Sequence, residues 1–453
     1  MTEERTNAGK RGKKKERKKK QRKDKERRRE DRDRERETEG EREREKEKKK
    51  EKREREIFPR RIMTRIVVKV GTSSLVDDKR GTLQLSSLCK LCETLTDLNT
   101  EGLQVVLVSS GAVGAGCQRL GIDRKDVTRL AHKQAIAAIG QGSLHRHYDD
   151  IFSALNQQSA QVLITLDNIA SRSQYKNACS TMEELLRMNV IPVVNENDTV
   201  ATTELRFGDN DTLSAQVAVM IGADWLFLLT DVDALYTANP NVDPSAKQIS
   251  VVEDLNALAV STDGCGSKYG TGGMATKLTA AHLASAAGCK TVICSSKDPT
   301  KIRDIINGDR SVGTCIMAIS ERPPKPTKKW ILSVSPKGAI QVDDGAARAV
   351  LNRKSLFAAG IVSVSGKFSS QDAVKVLDLR DNEIGRGLVN YNSSNILSLV
   401  GKSSQEFEAT VGYHGPEEII YRYNIVRTRQ SKNMTVVYSL NDLTEIEESE
   451  DSG

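Results

Sequence analysis

An apolar run that empties into a cluster of amides and carboxylates constrains this chain most. Ile191-Pro-Val-Val194 is followed at once by Asn195-Glu-Asn-Asp198, and Gly208-Asp-Asn-Asp211 follows shortly after. The run predicts a buried strand, and Thr212–Ile221 predicts a helix opened by the second cluster. In an open α/β sheet, ligands bind outside the carboxyl ends of strands. Asp and Asn also serve as turn and N-cap residues. Two such clusters on one strand-to-helix connection exceed what capping requires, and the stretch is read as functional.

The rest of the first 320 residues repeats the alternation. Strands are expected at 65–70, 104–109, 161–165, 225–231, 290–295 and 313–319, with helices at 83–99, 133–155 and 171–188. Apolar strands alternating with helices predict a parallel sheet covered on both faces. Lys69 lies one residue before the end of the first strand and Gly71-Thr-Ser-Ser74 follows, which suggests a cation at the strand mouth beside phosphate-cradling amides and hydroxyls. Gly264–Gly273 is a second glycine-rich loop, and Lys277 falls in the first turn of the helix it opens. Neither loop is a Walker A motif, and Gly111, Gly114 and Gly116 do not follow the dinucleotide fingerprint.

Charge excludes less than it suggests. Of 70 basic and 62 acidic residues, 28 and 18 lie within residues 1–56, which leaves a body of 42 and 44, close to neutral. Residues 1–62 are expected to form a disordered charged extension: a solvated tail, a basic arm, or sequence upstream of a start at Met63. Neither a secretory signal nor a membrane span is expected. Eight cysteines are scattered, and Cys89-Lys-Leu-Cys92 has no second pair or His cluster beside it. The expectation is reduced thiols, a cytoplasmic location and no metal site.

Residues 323–329 read as a proline-stiffened linker, 330–410 as a small β-rich module with a short helix near 345–351, and 411–453 as a C-terminal segment with an acidic tail. The stretch 330–410 lacks the aromatic-plus-basic stripe that single-stranded RNA requires.

Motifs now connect. Val67-Val-Lys-Val-Gly-Thr-Ser73, Ser109-Ser-Gly-Ala112, Lys133-Gln134, Gly140-Gln141, Pro192–Asp198, Gly208–Ser214, Leu228-Leu-Thr-Asp231 and Gly270–Lys277 resemble the amino-acid kinase family, and within it the glutamate 5-kinases. Gly338–Ala346 and Ser363–Phe368 resemble a PUA domain. The resemblance implies a three-layer αβα amino-acid kinase fold with a mainly parallel sheet over residues 63–322, then a PUA-like domain. It implies ATP-dependent phosphorylation of the side-chain carboxylate of L-glutamate, first in proline biosynthesis, with Mg2+ carried on the nucleotide. By the same resemblance, Lys69 and Lys277 bind phosphate and Asp211 orients both, while Ser110, Asp198 and Asn210 hold glutamate. Thr230, Asp231 and the loop Thr271, Gly272, Gly273, Met274, Ala275, Thr276 and Lys277 hold ATP, Lys69 contributing as well. Proline is the implied feedback inhibitor, a homo-oligomer the implied assembly, and a separate glutamyl-phosphate reductase the implied consumer of the product. Two departures stand out: Ser109 where Thr is usual, and Lys176 in place of an apolar residue. Alternatives are an aspartate, acetylglutamate or carbamate kinase, and, in another class, an RNA-binding protein.

Overall fold

Why Lys69 points where it does follows from strand parity. In β1 (Arg65–Val70), Ile66, Val68 and Val70 pack into one apolar cluster and Val67 into another, so the two sets face opposite sides of the sheet. Lys69 shares the parity of Val67 and therefore faces the layer that contains the helices Asn210–Ile221 and Met274–Ala286. The computed structural model describes residues 63–76, 82–201, 210–255 apart from 239, 241, 242 and 244, 273–319, 324–429 and the strand Val436–Val437.

The strands of the larger sheet are β1, β2 (Gln104–Ser109), β3 (Ser159–Ile164), β4 (Ile191–Glu196) and β5 (Trp225–Thr230). A short hairpin, β6 (Leu235–Tyr236) and β7 (Gln248–Ile249), precedes β8 (Val251–Val252), β9 (Lys290–Ser295) and β10 (Thr314–Ile316). With β16 (Val436–Val437) at its edge, the sheet runs β16-β8-β10-β9-β5-β1-β2-β4-β3. From β9 to β3 every pairing is parallel; antiparallel pairing appears only where β10 meets β9 and β16 meets β8. The mainly parallel α/β reading holds. The expected strand at 313–319 is shorter, and β8 lay below the length at which apolar patterning is legible.

One face carries Leu85–Thr100 and Leu130–Ala154, the other Arg172–Arg187, Asn210–Ile221 and Met274–Ala286. Nearly every residue of Asn210–Ile221 is buried, which fits a helix enclosed on all sides. The small-residue stretch after Ser110 is regular structure. It forms the helix Ala112–Leu120, packed against Leu130–Ala154. Glycine makes that crossing possible, since a Cβ on Gly116 would sit 2.0 Å from the Ile136 carbonyl oxygen and one on Gly140 1.9 Å from that of Ala112.

Residues 323–329 are not simply a linker: Pro326–Ser333 is a helix with proline in its first turn. Its end receives a 2.8 Å hydrogen bond from Gln216 Nε2 to the Ser333 carbonyl and one of 3.2 Å from Arg386 Nη1 to the Leu332 carbonyl. The helix thus touches both the buried helix of the large sheet and the second sheet, within one compact unit that begins at Thr64. That second sheet contains β11 (Gly338–Val342), β12 (Ile361–Gly366), β13 (Ala373–Leu377), β14 (Glu383–Leu388) and β15 (Ile425–Arg427), in the order β12-β11-β13-β14-β15. It has its own apolar core around Ile340, Val374, Tyr391 and Ile420.

Candidate active site

Three chain-distant elements converge on one carboxylate. Asp211, in the first turn of Asn210–Ile221, is 1% exposed and lies under the carboxyl end of β1. Its Oδ1 is 2.6 Å from Lys69 Nζ, and its Oδ2 is 3.3 Å from Lys277 Nζ. Thr276 Oγ1 donates to the same Oδ2 at 2.8 Å. Burial opposes ionisation of Asp211, but the two ammonium groups and the hydrogen bonds from Lys69 and Thr276 prevail and hold it below the usual carboxylate range. One anion between two buried cations leaves a net positive centre, suited to a ligand with several negative oxygens.

Beside this centre lies a cavity of about 220 Å³, lined by Ser110, Asn195, Asp198, Asn210 and the start of the helix Ala112–Leu120. It is smaller than the ~300 Å³ at the low end of drug-sized sites and suits a small polar molecule. Asn210 Nδ2 lies 2.7 Å from the Ser109 carbonyl, 3.0 Å from Ser110 Oγ and 2.9 Å from Asn195 Oδ1. Asn195 is steadied in turn by donating to Gln141 Oε1 at 2.7 Å. Among the described residues, Asn210 Oδ1 is buried without a hydrogen-bond partner. Among the described residues Asp198 has no cation beside it, and burial pushes its carboxyl up to about 6.

At the far side, Thr230 ends β5, directly next to β1, and its hydroxyl donates to Asp231 at 2.9 Å. Gly273 precedes the helix Met274–Ala286 without a side-chain cap, and among the described residues the Met274 and Ala275 amides at that helix start have no capping side chain. Thr271 and Gly272 lie outside the described residues, as does most of the glycine-rich loop. No group of three potential metal-ligating side chains occurs among the described residues.

The profile of the amino acid kinase family matches residues 64–295, and that of the PUA domain matches residues 338–411. A glutamate 5-kinase from Cyanothece sp. is 51% identical over 364 residues, covering 80% of this chain and 98% of the relative. One from Trichormus variabilis is 50% identical over 368 residues, covering 80% and 99%. The chain belongs to the glutamate 5-kinase group of the amino acid kinase family.

Within that family frame, the residues expected to meet do so: Lys69, Asp211 and Lys277 in one cluster, Ser110, Asp198 and Asn210 around one cavity. The resemblance placed Thr276 with the nucleotide, yet its hydroxyl is spent on Asp211 and on the Gly273 carbonyl. Asn195 and Gln141 were not singled out, although both stand in motifs read from the sequence. Ser109 is buried, and its hydroxyl bonds Tyr148 at 2.8 Å inside the core.

Proposed function

We propose that the chain transfers the terminal phosphoryl group of ATP to the side-chain carboxylate of L-glutamate, giving glutamyl 5-phosphate and ADP at the start of proline biosynthesis. The observation that carries this is the Lys69–Asp211–Lys277 cluster beside a cavity with an unpaired carboxylate and an unpaired amide oxygen. A glutamate side chain, with a pKa near ~4.3, is already ionised at neutral pH and needs no general base. Its oxygen attacks the terminal phosphorus, the bond to the bridging oxygen breaks, and ADP leaves. Catalysis is then mostly alignment and neutralisation of charge spreading over the transferred group.

Lys69 and Lys277 supply that neutralisation, and Asp211 keeps both ammonium groups aimed at one point. The amides at Gly273, Met274 and Ala275 meet phosphate oxygens at the positive end of their helix, with Thr271 and Gly272 preceding them and Thr230 and Asp231 on the neighbouring strand end. Asp211 is already committed to two lysines, so Mg2+ would be held chiefly by the nucleotide, where it would offset phosphate charge. Asp198 takes the substrate ammonium, and Ser110 and Asn210 fix the amino acid between that point and the lysines. Proline, carrying the same ammonium and carboxylate, competes for this cavity. The acyl phosphate passes to a separate reductase.

ADP release with glutamate, aspartate, acetylglutamate and carbamate, each with and without proline, tests the reading. Glutamate is expected to be preferred. Release that does not depend on glutamate overturns the proposal.

RNA binding by the second sheet is a lesser reading with one observation behind it. Burial, then Arg353, Arg427 and Lys325 around it, holds Lys328 below the usual lysine range. Exposed Tyr421 and Tyr423 lie alongside, with Arg422 stacked 5.0 Å over Tyr423. Cations with open aromatic rings suit single-stranded nucleic acid. Oligonucleotide binding that is unchanged by Arg422→Ala and by salt would remove this reading.

A further inference from the structure

The charge inventory of the cavity is incomplete when only Asp198, Ser110 and Asn210 are assigned. An acidic α-amino acid at neutral pH presents one ammonium and two carboxylates. The side-chain carboxylate goes to the lysine cluster and the ammonium to Asp198, under the reading above. The α-carboxylate still needs a positive partner, because a desolvated charge without one is costly.

Two cationic side chains line the cavity, Lys133 and Arg124. Arg124 already has another partner. Lys133 makes no ion pair among the described residues, is only half-buried, and stands in the first turn of the helix Leu130–Ala154. Its neighbour Gln134 donates to the Ala201 carbonyl at 3.1 Å, which ties this turn of helix to the segment that carries Asp198. The helix Ala112–Leu120 starts at Gly111 without a side-chain cap, and Ala112 and Val113 line the same space. A buried Asn210 Oδ1 with nothing to accept from points independently to a ligand there. The cavity lining thus combines the carboxylates of Glu196 and Asp198 with the cation of Lys133 and the uncapped start of the helix Ala112–Leu120.

We infer that Lys133 holds the α-carboxylate of the amino-acid substrate and is a specificity-determining residue, working with the first amides of the helix Ala112–Leu120. The inference rests on the function proposed above. It places Lys133 outside the phosphoryl path: the residue decides which acids enter and leaves the transfer step alone.

The test is a substrate-by-mutant cycle with the full chain. Glutamate, 4-aminobutyrate (no α-carboxylate) and glutarate (no ammonium) are compared in the parent and in Lys133→Met, as substrates or as competitors of glutamate. Lys133→Met is expected to raise KM for glutamate on the order of tenfold to a hundredfold, the range for a hydrogen bond to a charged group, with kcat within about twofold. The parent discriminates strongly against 4-aminobutyrate, and the variant loses most of that discrimination while still rejecting glutarate. A thermal melt matching the parent excludes misfolding, and Lys133→Arg recovers part of the affinity. An unchanged KM, or equal discrimination against 4-aminobutyrate in both proteins, overturns the inference. A parent that releases no ADP with glutamate would instead sink the proposed function, so the two failures are distinguishable.

Discussion

The two halves of the site are built on opposite principles. At the phosphoryl end every charged side chain is already held by another: Asp211 holds Lys69 at 2.6 Å and Lys277 at 3.3 Å with Thr276 closing the cluster. At the amino-acid end charges are left open: Asp198 without a cation, and Asn210 Oδ1 without a donor. A pre-paired cluster has its cations in position before substrate arrives, which is what electrostatic catalysis requires. An unpaired cavity pays for desolvation in advance and recovers it only with a ligand of the right charge pattern, which is what selectivity requires. Turnover is therefore expected to depend on the first half and recognition on the second.

Asp211→Asn should break the contrast most severely. It leaves two buried ammonium groups facing each other, and loss of one partner in a buried ion cluster costs about 3 to 5 kcal/mol. Urea unfolding should show that loss together with near-abolished turnover; a variant as stable as the parent would mean the lysines are not held by this carboxylate. Lys277→Ala comes next. Asp211 keeps Lys69, so the fold should survive, while kcat falls about a hundredfold to a thousandfold. The KM for glutamate should change little, and an unchanged kcat refutes the role given to Lys277.

Asp198→Asn probes the open half. The expected result is a KM for glutamate raised on the order of tenfold to a hundredfold with kcat far less affected. The pH dependence sharpens the comparison. Because burial raises Asp198 to about 6, it becomes protonated as pH falls through that value and can no longer attract an ammonium. In the parent, kcat/KM for glutamate should drop below about pH 6, and in Asp198→Asn that acid limb should vanish. Asp211, held low by two lysines, contributes no such limb in this range. If the limb persists in the variant, another group is responsible.

How much of this was legible beforehand differs between the halves. Lys69 closes a strand just before a glycine, and Asp211 and Lys277 fall in the first turns of helices that follow polar or glycine turns, and that punctuation survives in a linear reading. Strand parity then places Lys69 on the face that holds both helices. The cavity wall was less readable. Lys133 stands on a helix whose relation to Asp198 depends on the crossing at Gly116 and Gly140, and nothing local encodes a crossing partner. The small residues after Ser110 mark either close ligand approach or close backbone approach, and at Gly116 it is the latter. The patch around Lys328 escaped for a similar reason: it draws on the helix Pro326–Ser333 and on residues beyond 410, not on the module alone. Thr271 and Gly272 remain proposals, since they lie outside the described residues.

The smallest expected effect separates geometry from charge within the matched half. Thr276→Val removes the 2.8 Å donor to Asp211 Oδ2 but leaves both lysines and the helix start in place. A hydrogen bond to a charged group contributes about 1.5 to 3 kcal/mol, and part of that is recovered if Lys277 moves closer to the freed oxygen. Asp211 would then carry the two ammonium groups with one fewer constraint on its rotamer, and kcat should fall about threefold to tenfold with KM for glutamate unchanged. Thr276→Ser, which keeps the hydroxyl, should stay near the parent. If valine and serine behave alike, Thr276 orients nothing, and the ion pairs alone keep the two lysines aligned.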